Sequence, residues 1–272
     1  MSEKRSNFQE LLEEICLEQG ILLENFSDNW GHRLTKEGKS AYIVGYQFGL
    51  NLSSVKEICQ DKVLTFEILS QAGIPACEHI FLPVNLSPEE AEKTGAKMLE
   101  KYGKAVLKDN YGTGGFKVFL INDMAEFKEK LSEIHKASYA AALCPFIDII
   151  EEYRVILLDG EPLLTIRKDR PYETYDGRRY YTTWKHNLSQ GARGTIMDEG
   201  EILPGLHELA KRTAGVIPVR FASIDIIETA EGLKILEING GVMMEHLAGQ
   251  SPRCRKRAKE AYEKAVLRMF ED

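Results

Sequence analysis

Phe8, Leu11, Leu12, Ile15 and Cys16 recur at helical spacing and Gly20 follows them, so the chain predicts a first helix that stops there. Residues 30–52 change rhythm. Short apolar runs punctuated by glycine, as in SAYIVGYQFGL, predict a hairpin or small sheet. One helix is expected from about Ser54 to Gln71, ended by Gly73 and Pro75, with EHIFLP as a short strand after it. In Ser87-Pro88-Glu89-Glu90, Ser87 can cap, Pro88 suits the first turn and Glu90 completes a capping box for a helix to Lys101. AVLK (105–108) and KVFLI (117–121) read as strands joined by a glycine-rich loop, and Asn122 or Asp123 caps a helix to about His135. YRVILL (153–158) and PLLTIRK (162–168) flank Asp159-Gly160, a strong hairpin turn. A polar stretch (169–200), a helix (204–215), strands FASIDII (221–227) and LKILEIN (233–239), and a helix over about 252–270 complete the pattern. Strands are too many for a helical bundle and hairpins too many for a Rossmann sheet. The fold class is therefore α+β with antiparallel sheets.

Composition narrows the class without naming a function. With 272 residues, 43% hydrophobic and 28% charged, the chain suits one soluble unit of two lobes or two small domains. No run approaches the roughly 18 apolar residues of a membrane helix. The charged start, MSEKRSNFQELLEEI, lacks an apolar signal core, so the expected location is cytoplasmic with no membrane partner. The five cysteines are odd in number and form no C-x-x-C pair, which disfavours a disulfide framework or zinc site. A net charge of −7 argues against a nucleic-acid partner. The basic residues of the last helix read as a solvated face over a stripe of Ala258, Ala261, Tyr262, Ala265, Val266 and Met269.

Three features carry candidate chemistry. Lys108-Asp109-Asn110-Tyr111-Gly112-Thr113-Gly114-Gly115 lies between two strands, where backbone N–H groups can approach phosphate oxygens and Lys108 adds a point charge. A plain hairpin turn is the alternative, and the spacing fits neither a Walker loop nor a dinucleotide fingerprint. Asp225, Glu237 and Asn239 lie in two apolar strands, with Glu237 and Asn239 on one face. Unpaired carboxylates there would be costly to bury, and hard oxygens of this kind suit Mg²⁺. The third feature is a basic stretch in an acidic chain. Arg167, Lys168, Arg170, Arg178, Arg179, Lys185 and Arg193 stand against three acids, a net of +4 that suits carboxylates or phosphates.

In this order the motifs resemble the ATP-grasp superfamily over roughly residues 50–270. Asp61-Lys62 with AGIPACEHIFLP, then VLKDNYGTGG, LCPFIDIIEEYRVILLDGEPL, HNLSQGA and SIDII…LKILEINGG carry the likeness. It looks nearest to the glutathione-synthetase, ribosomal-protein glutamate-ligase and cyanophycin-synthetase-like groups. The resemblance implies two α+β lobes gripping ATP. Lys62 and Lys108 would hold its phosphates under a flap of Gly112, Thr113, Gly114 and Gly115. Cys144, Pro145, Phe146 and Ile147 would form the adenine hinge, and Glu152 would contact ribose. Arg154 and Arg167 would stabilise the transferred phosphoryl group or the acceptor carboxylate, with Asn187 near the γ-phosphate. Asp225, Glu237 and Asn239 would bind two Mg²⁺ ions, for which Mn²⁺ can substitute.

The implied reaction joins a carboxylate substrate (an amino acid or peptide) to an amine through an acylphosphate, releasing ADP and phosphate. A kinase for a small anionic substrate and a non-catalytic nucleotide-binding module are the rivals. Asp109 stands where the family has proline, which is expected to loosen the strand end. The stretch 169–186 is longer than in the nearest relatives, and Gly240–His246 departs from the usual pattern beside the acceptor. The expected division is a reduced N-terminal region (1–60), an N-terminal lobe (61–143) and a C-terminal lobe (144–272). So short a first region would leave an open acceptor side, completed by a homodimer mate or partner subunit, or suited to a peptide.

Overall fold

The computed structural model describes residues 6–176, 178–186, 188 and 191–271. Helix α1 (Asn7–Glu18) starts at Ser6, whose side chain and Gln9 form a reciprocal capping box. Strands β1 (Leu22–Phe26), β2 (Gly31–Lys36) and β3 (Lys39–Val44) form an antiparallel three-stranded sheet. The single helix expected over 54–71 is two, α2 (Ser53–Gln60) and α3 (Lys62–Gln71). Asp61 separates them. Its extended backbone ends α2, and its carboxylate caps α3 by accepting from the Leu64 N–H at 2.9 Å.

The next lobe is a four-stranded antiparallel sheet in the order β4-β7-β5-β6, with β4 Ile80–Pro83, β5 Ala105–Asp109, β6 Val118–Ile121 and β7 Ala140–Pro145. Helices α4 (Pro88–Tyr102) and α5 (Met124–His135) cover it and bury Leu82, Leu107, Ile121, Phe127 and Leu143. The capping box at Ser87 and the Asp123 cap form as the sequence predicts.

The larger sheet runs β12-β9-β8-β13-β14: β12 Arg193–Ile196, β9 Glu161–Asp169, β8 Glu151–Leu158, β13 Phe221–Thr229 and β14 Gly232–Asn239. Alternation along these strands divides the core. Tyr153, Val155, Leu157, Ala222, Ile224 and Ile226 pack with α2 and with helix α6 (Leu206–Val216). Ile156, Leu164, Ile166 and Phe221 face the other way, onto α1, the small sheet and helix α8 (Pro252–Arg268). The expected polar stretch holds β12 and a hairpin, β10 (Tyr172–Tyr175) with β11 (Arg178–Tyr181).

Residues 6–60 pack against the rest of the described chain. Phe8, Leu11, Leu34, Ile43 and Phe48 share one core with Phe221 and Tyr262. Asn51 Nδ2 donates to the carbonyls of Phe221 (2.7 Å) and Gly240 (3.1 Å), and its Oδ1 accepts from Arg220 N–H at 2.7 Å. Glu245, opening helix α7 (Glu245–Ala248), accepts from the free N–H groups of Asn7 and Phe8 at 2.7 and 2.9 Å. The N-terminal segment thus contacts Gly240 and Glu245 within one chain. No helix of the described residues is long and apolar enough to cross a membrane.

Candidate active site

A cleft opens between the two sheets. The smaller sheet contributes Val106, Lys108 and Val118, and the end of β7 supplies Cys144 and Pro145, followed by Phe146 and Ile147. The larger sheet supplies Glu152, Lys168, Ile227, Leu236 and Glu237. Leu236 bulges from β14 because the register slips between Asp225 opposite Glu237 and Ile226 opposite Ile235. An apolar slot (Val106, Ile147, Ile227, Leu236) therefore runs into a charged end (Lys62, Lys108, Glu237).

The glycine loop overhangs that end. Gly114 and Gly115 sit at φ 65° and 72°, and a Cβ on Gly112 would lie 2.9 Å from the Asp109 Cβ. Lys62, at the start of α3, donates to the carbonyls of Asn110 (3.2 Å) and Gly112 (2.5 Å). Burial lowers the Lys62 pKa, Glu237 opposes that shift, and Lys108 adds to it. Asp109 does not loosen its strand. It pairs with Ala141, and its carboxylate accepts from Tyr111 N–H (3.0 Å) and the Ser138 hydroxyl (2.7 Å), bonds that also tighten the turn into the loop. The Thr113 side chain is exposed and is not among the cleft residues, unlike Gly112, Gly114 and Gly115.

Beneath the cleft, Asp225 is 1% exposed and forms the centre of an ion cluster. Arg154 lies opposite it on β8 and donates to both carboxylate oxygens at 2.7 Å. Lys168 Nζ donates to Asp225 at 2.7 Å and to Glu152 at 2.5 Å. Burial pushes the Asp225 carboxyl upward, but the two cations outweigh it and hold the group well below the usual carboxylate range. Glu237 stands opposite Asp225 on the other side and lines the cleft, its Oε1 accepting from Asn239 Nδ2 at 3.2 Å.

Glu237 in the cleft and Asn239 beside it supply hard oxygens of the type a divalent cation takes. The donor set fits Mg²⁺ at those two residues, whereas Asp225 can join only if Arg154 or Lys168 gives way. Among the described residues, no group of three or more His, Cys, Asp or Glu is placed to hold a metal by itself.

The structure brings most of the expected residues together, but Thr113, Arg154, Arg167, Asp225 and Asn239 are not among those that line the cleft. Arg167 pairs in register with Tyr153 and so points to the opposite face of the sheet. There it binds Asp169 at 2.8 Å and lies 3.9 Å from Glu151. Lys168, one residue on, takes the inward position. The signal was present in TIRKD: Ile166 is a core position, and a strand repeats every two residues, so Lys168 shares its face. Asn187 lies outside the described residues. Trp184, Lys185 and His186 also line the cleft; Trp184 meets the Phe146 ring edge-on at 5.8 Å, and Lys185 reaches the Gly115 carbonyl at 3.4 Å.

Two antiparallel lobes closing on a lysine-lined cleft under a glycine flap define an ATP-grasp fold. The chain belongs to the RimK-like ATP-grasp family, whose profile matches residues 59–251. Among curated proteins, tetrahydromethanopterin:alpha-L-glutamate ligase of Methanocaldococcus jannaschii is 25% identical over 176 residues, 59% of this chain and 55% of that protein. The chain thus spans about half the length of this relative. Among solved structures, a bifunctional glutathione synthetase from Pasteurella multocida superposes with a TM-score of 0.60 at 14% identity, over 95% of this chain and 44% of that one. D-alanine–D-alanine ligase from Bacillus anthracis, complexed with ATP, gives 0.58 at 20% identity, over 82% and 68%. These structural likenesses establish the fold.

Proposed function

We propose that this chain is an ATP-dependent carboxylate–amine ligase that forms an amide bond through an acylphosphate, releasing ADP and phosphate. One observation carries the reading. The cleft places two lysines and a glycine loop against Glu237, which Asn239 contacts from behind, and takes Lys168 of the buried Arg154–Asp225–Lys168 cluster into its wall. That is a site organised to hold a polyphosphate and to offset charge as a phosphoryl group moves. The named relatives, a glutamate ligase and a D-alanine ligase, support the same class of reaction.

In this reading, adenine lies against Phe146, Ile147, Ile227 and Leu236, with Cys144 and Pro145 behind it, and Glu152 faces ribose. Lys62 and Lys108 bind phosphate oxygens, and the flap over Gly112–Gly115 excludes water that would hydrolyse the acylphosphate. Arg154 faces the carboxylate being activated. Mg²⁺, held by Glu237, Asn239 and, on rearrangement, Asp225, would offset charge on the phosphate oxygens. The reading extends to two ions, exchangeable for Mn²⁺. The reading places the enzyme in the cytoplasm, where its buried thiols stay reduced.

The test is transfer of ¹⁸O. A carboxylate labelled with ¹⁸O is incubated with ATP, Mg²⁺ and candidate amines. The expected result is amine-dependent release of ADP and of phosphate carrying one ¹⁸O. Phosphate that stays on the substrate would make the protein a kinase. Release of unlabelled phosphate would exclude the acylphosphate.

A further inference from the structure

The three-stranded N-terminal sheet is covered on one side only. Its register sorts the side chains. His32, Leu34 and Ile43 turn inward, to the side packed on α1. Leu22, Glu24 and Phe26 of β1, Arg33 of β2, and Tyr42 and Val44 of β3 share the other side. The described residues leave that side open: Leu22, Phe26, Tyr42 and Val44 are 61, 49, 58 and 51% exposed.

The β1–β2 turn extends the open surface. Ser27, Asp28 and Asn29 all adopt left-handed backbone (φ 50°, 54° and 61°), which residues other than glycine rarely do. Backbone strain of this kind concentrates at functional surfaces. The turn delivers Trp30, whose N–H donates to the Ser27 carbonyl at 3.1 Å. The Trp30 ring lies over Gly45, next to Val44; a Cβ on that glycine would stand 2.7 Å from it. Trp30 is nevertheless 61% exposed.

Area and charge say what fits this face. Its five apolar and aromatic side chains expose on the order of 500 Å², since one aromatic side chain alone presents roughly 150–250 Å². A single chain seldom leaves an apolar patch above ~300–600 Å² without a use for it. A standard interface takes about 800 Å² from each partner, of which about 57%, or roughly 460 Å², is apolar. The face supplies that quantity. Its charged groups are a matched pair: Arg33 donates from Nε and Nη2 to the two Glu24 carboxylate oxygens, both at 2.6 Å. A strongly acidic or basic partner finds no counterpart there. A two-fold rotation does provide one, because it sets Arg33 of each copy against Glu24 of the other.

We propose that the chain pairs with a second copy of itself through this face, as a two-fold symmetric dimer. Leu22, Phe26, Tyr42 and Val44 form its dry centre, and Trp30 closes one end. Glu24 and Arg33 of the two copies alternate in a ring of four charges around the axis. The dimer leaves each cleft to the residues of its own chain. It braces the N-terminal segment, which contacts Gly240 and Glu245. The proposal is independent of the reaction assigned to the cleft.

Sedimentation velocity of the whole chain over a range of concentrations decides it. The wild type is expected to pass from monomer to dimer at micromolar concentration. Glu24→Arg and Arg33→Glu each set like charges across the axis and should raise the dissociation constant at least tenfold. An equimolar mixture of these two variants regains both opposite-charge contacts. It should recover a dimer containing one copy of each, at concentrations where neither variant dimerises alone. Circular dichroism spectra and urea midpoints close to wild type report that the variants are folded, since an exposed ion pair contributes little to stability. A wild-type chain that stays monomeric at high micromolar concentration gives the face to another occupant and overturns the proposal. A dimer that both variants leave intact lies elsewhere on the molecule and overturns it too. A mixture that stays monomeric excludes the two-fold pairing of Glu24 with Arg33 and has the same consequence.

Discussion

Replacing Asp225 by Asn is the sharpest perturbation available. It keeps the side-chain volume but removes one buried negative charge and turns one acceptor oxygen into a donor. That amide N–H₂ must then face a cation, whether Arg154 or Lys168, since the two together occupy both oxygens at 2.7 Å. All three side chains are well buried, at 1%, 16% and 3% exposure, so solvent screens the loss poorly. Breaking such a pair from one side typically costs about 3–5 kcal/mol. Lys168 keeps Glu152 at 2.5 Å, which places the expectation at the lower end, about 3 kcal/mol. For a chain of this size that corresponds to a melting temperature lower by roughly 6–12 °C. Urea unfolding at constant m-value is the assay. The decisive comparison is the pair Asp225→Asn and Lys168→Met with their double variant. Removing both partners should cost less than the sum of the single changes. A destabilisation below about 1 kcal/mol for Asp225→Asn, or strict additivity, would show that the cluster is not the coupled buried unit described.

Three other outcomes follow from the same geometry. Glu245→Ala strips the acceptor from the first N–H groups of α1 and should cost about 1–2 kcal/mol, read by urea unfolding, with faster proteolysis near α1. Lys62→Met removes the bonds to the Asn110 and Gly112 carbonyls and should speed chymotryptic cleavage after the exposed Phe116; an unchanged rate would mean that Lys62 does not hold the loop. Burial raises the thiol pKa of Cys16 to about 11 and of Cys59 and Cys77 to about 12. These groups stay protonated in the folded state while the unfolded chain ionises near 9, so stability is full below pH 9 and falls as pH rises towards 12. Denaturant midpoints from pH 8 to 11 check this, and Cys→Ser variants should flatten the fall.

Much of the molecule was legible before any coordinates. Capping boxes, the Asp159-Gly160 turn and apolar strands are local signals, and local signals survive folding. Strand β7 left no such trace. Its Ala-rich run is buried throughout and carries neither alternation nor β-branched side chains, so only its two neighbours in the sheet define it. The break at Asp61 was hidden because residues on both sides favour helix, and the Asp61 side chain's contact with Asn110, 49 positions away, is a tertiary one. In the site, Lys168 was readable from strand phase, whereas its two carboxylate partners come from β8 and β13. The seating of α1 on Glu245 joins residues too far apart for any periodicity to reveal.

That last contact sets a timetable for biosynthesis. Asn7 and Glu245 are separated by 238 positions. At about 5–20 residues per second, a ribosome needs roughly 12–48 s to make the second after the first. Throughout that interval α1 can meet the small sheet but lacks Phe221, Tyr262 and the rest of α8, which complete the burial of Phe8, Leu11 and Leu12. The smaller sheet, with nearer partners, can consolidate meanwhile. The nascent chain therefore carries a partly uncovered apolar helix until the end of α8 has emerged, and that helix is where a chaperone would be expected to engage it.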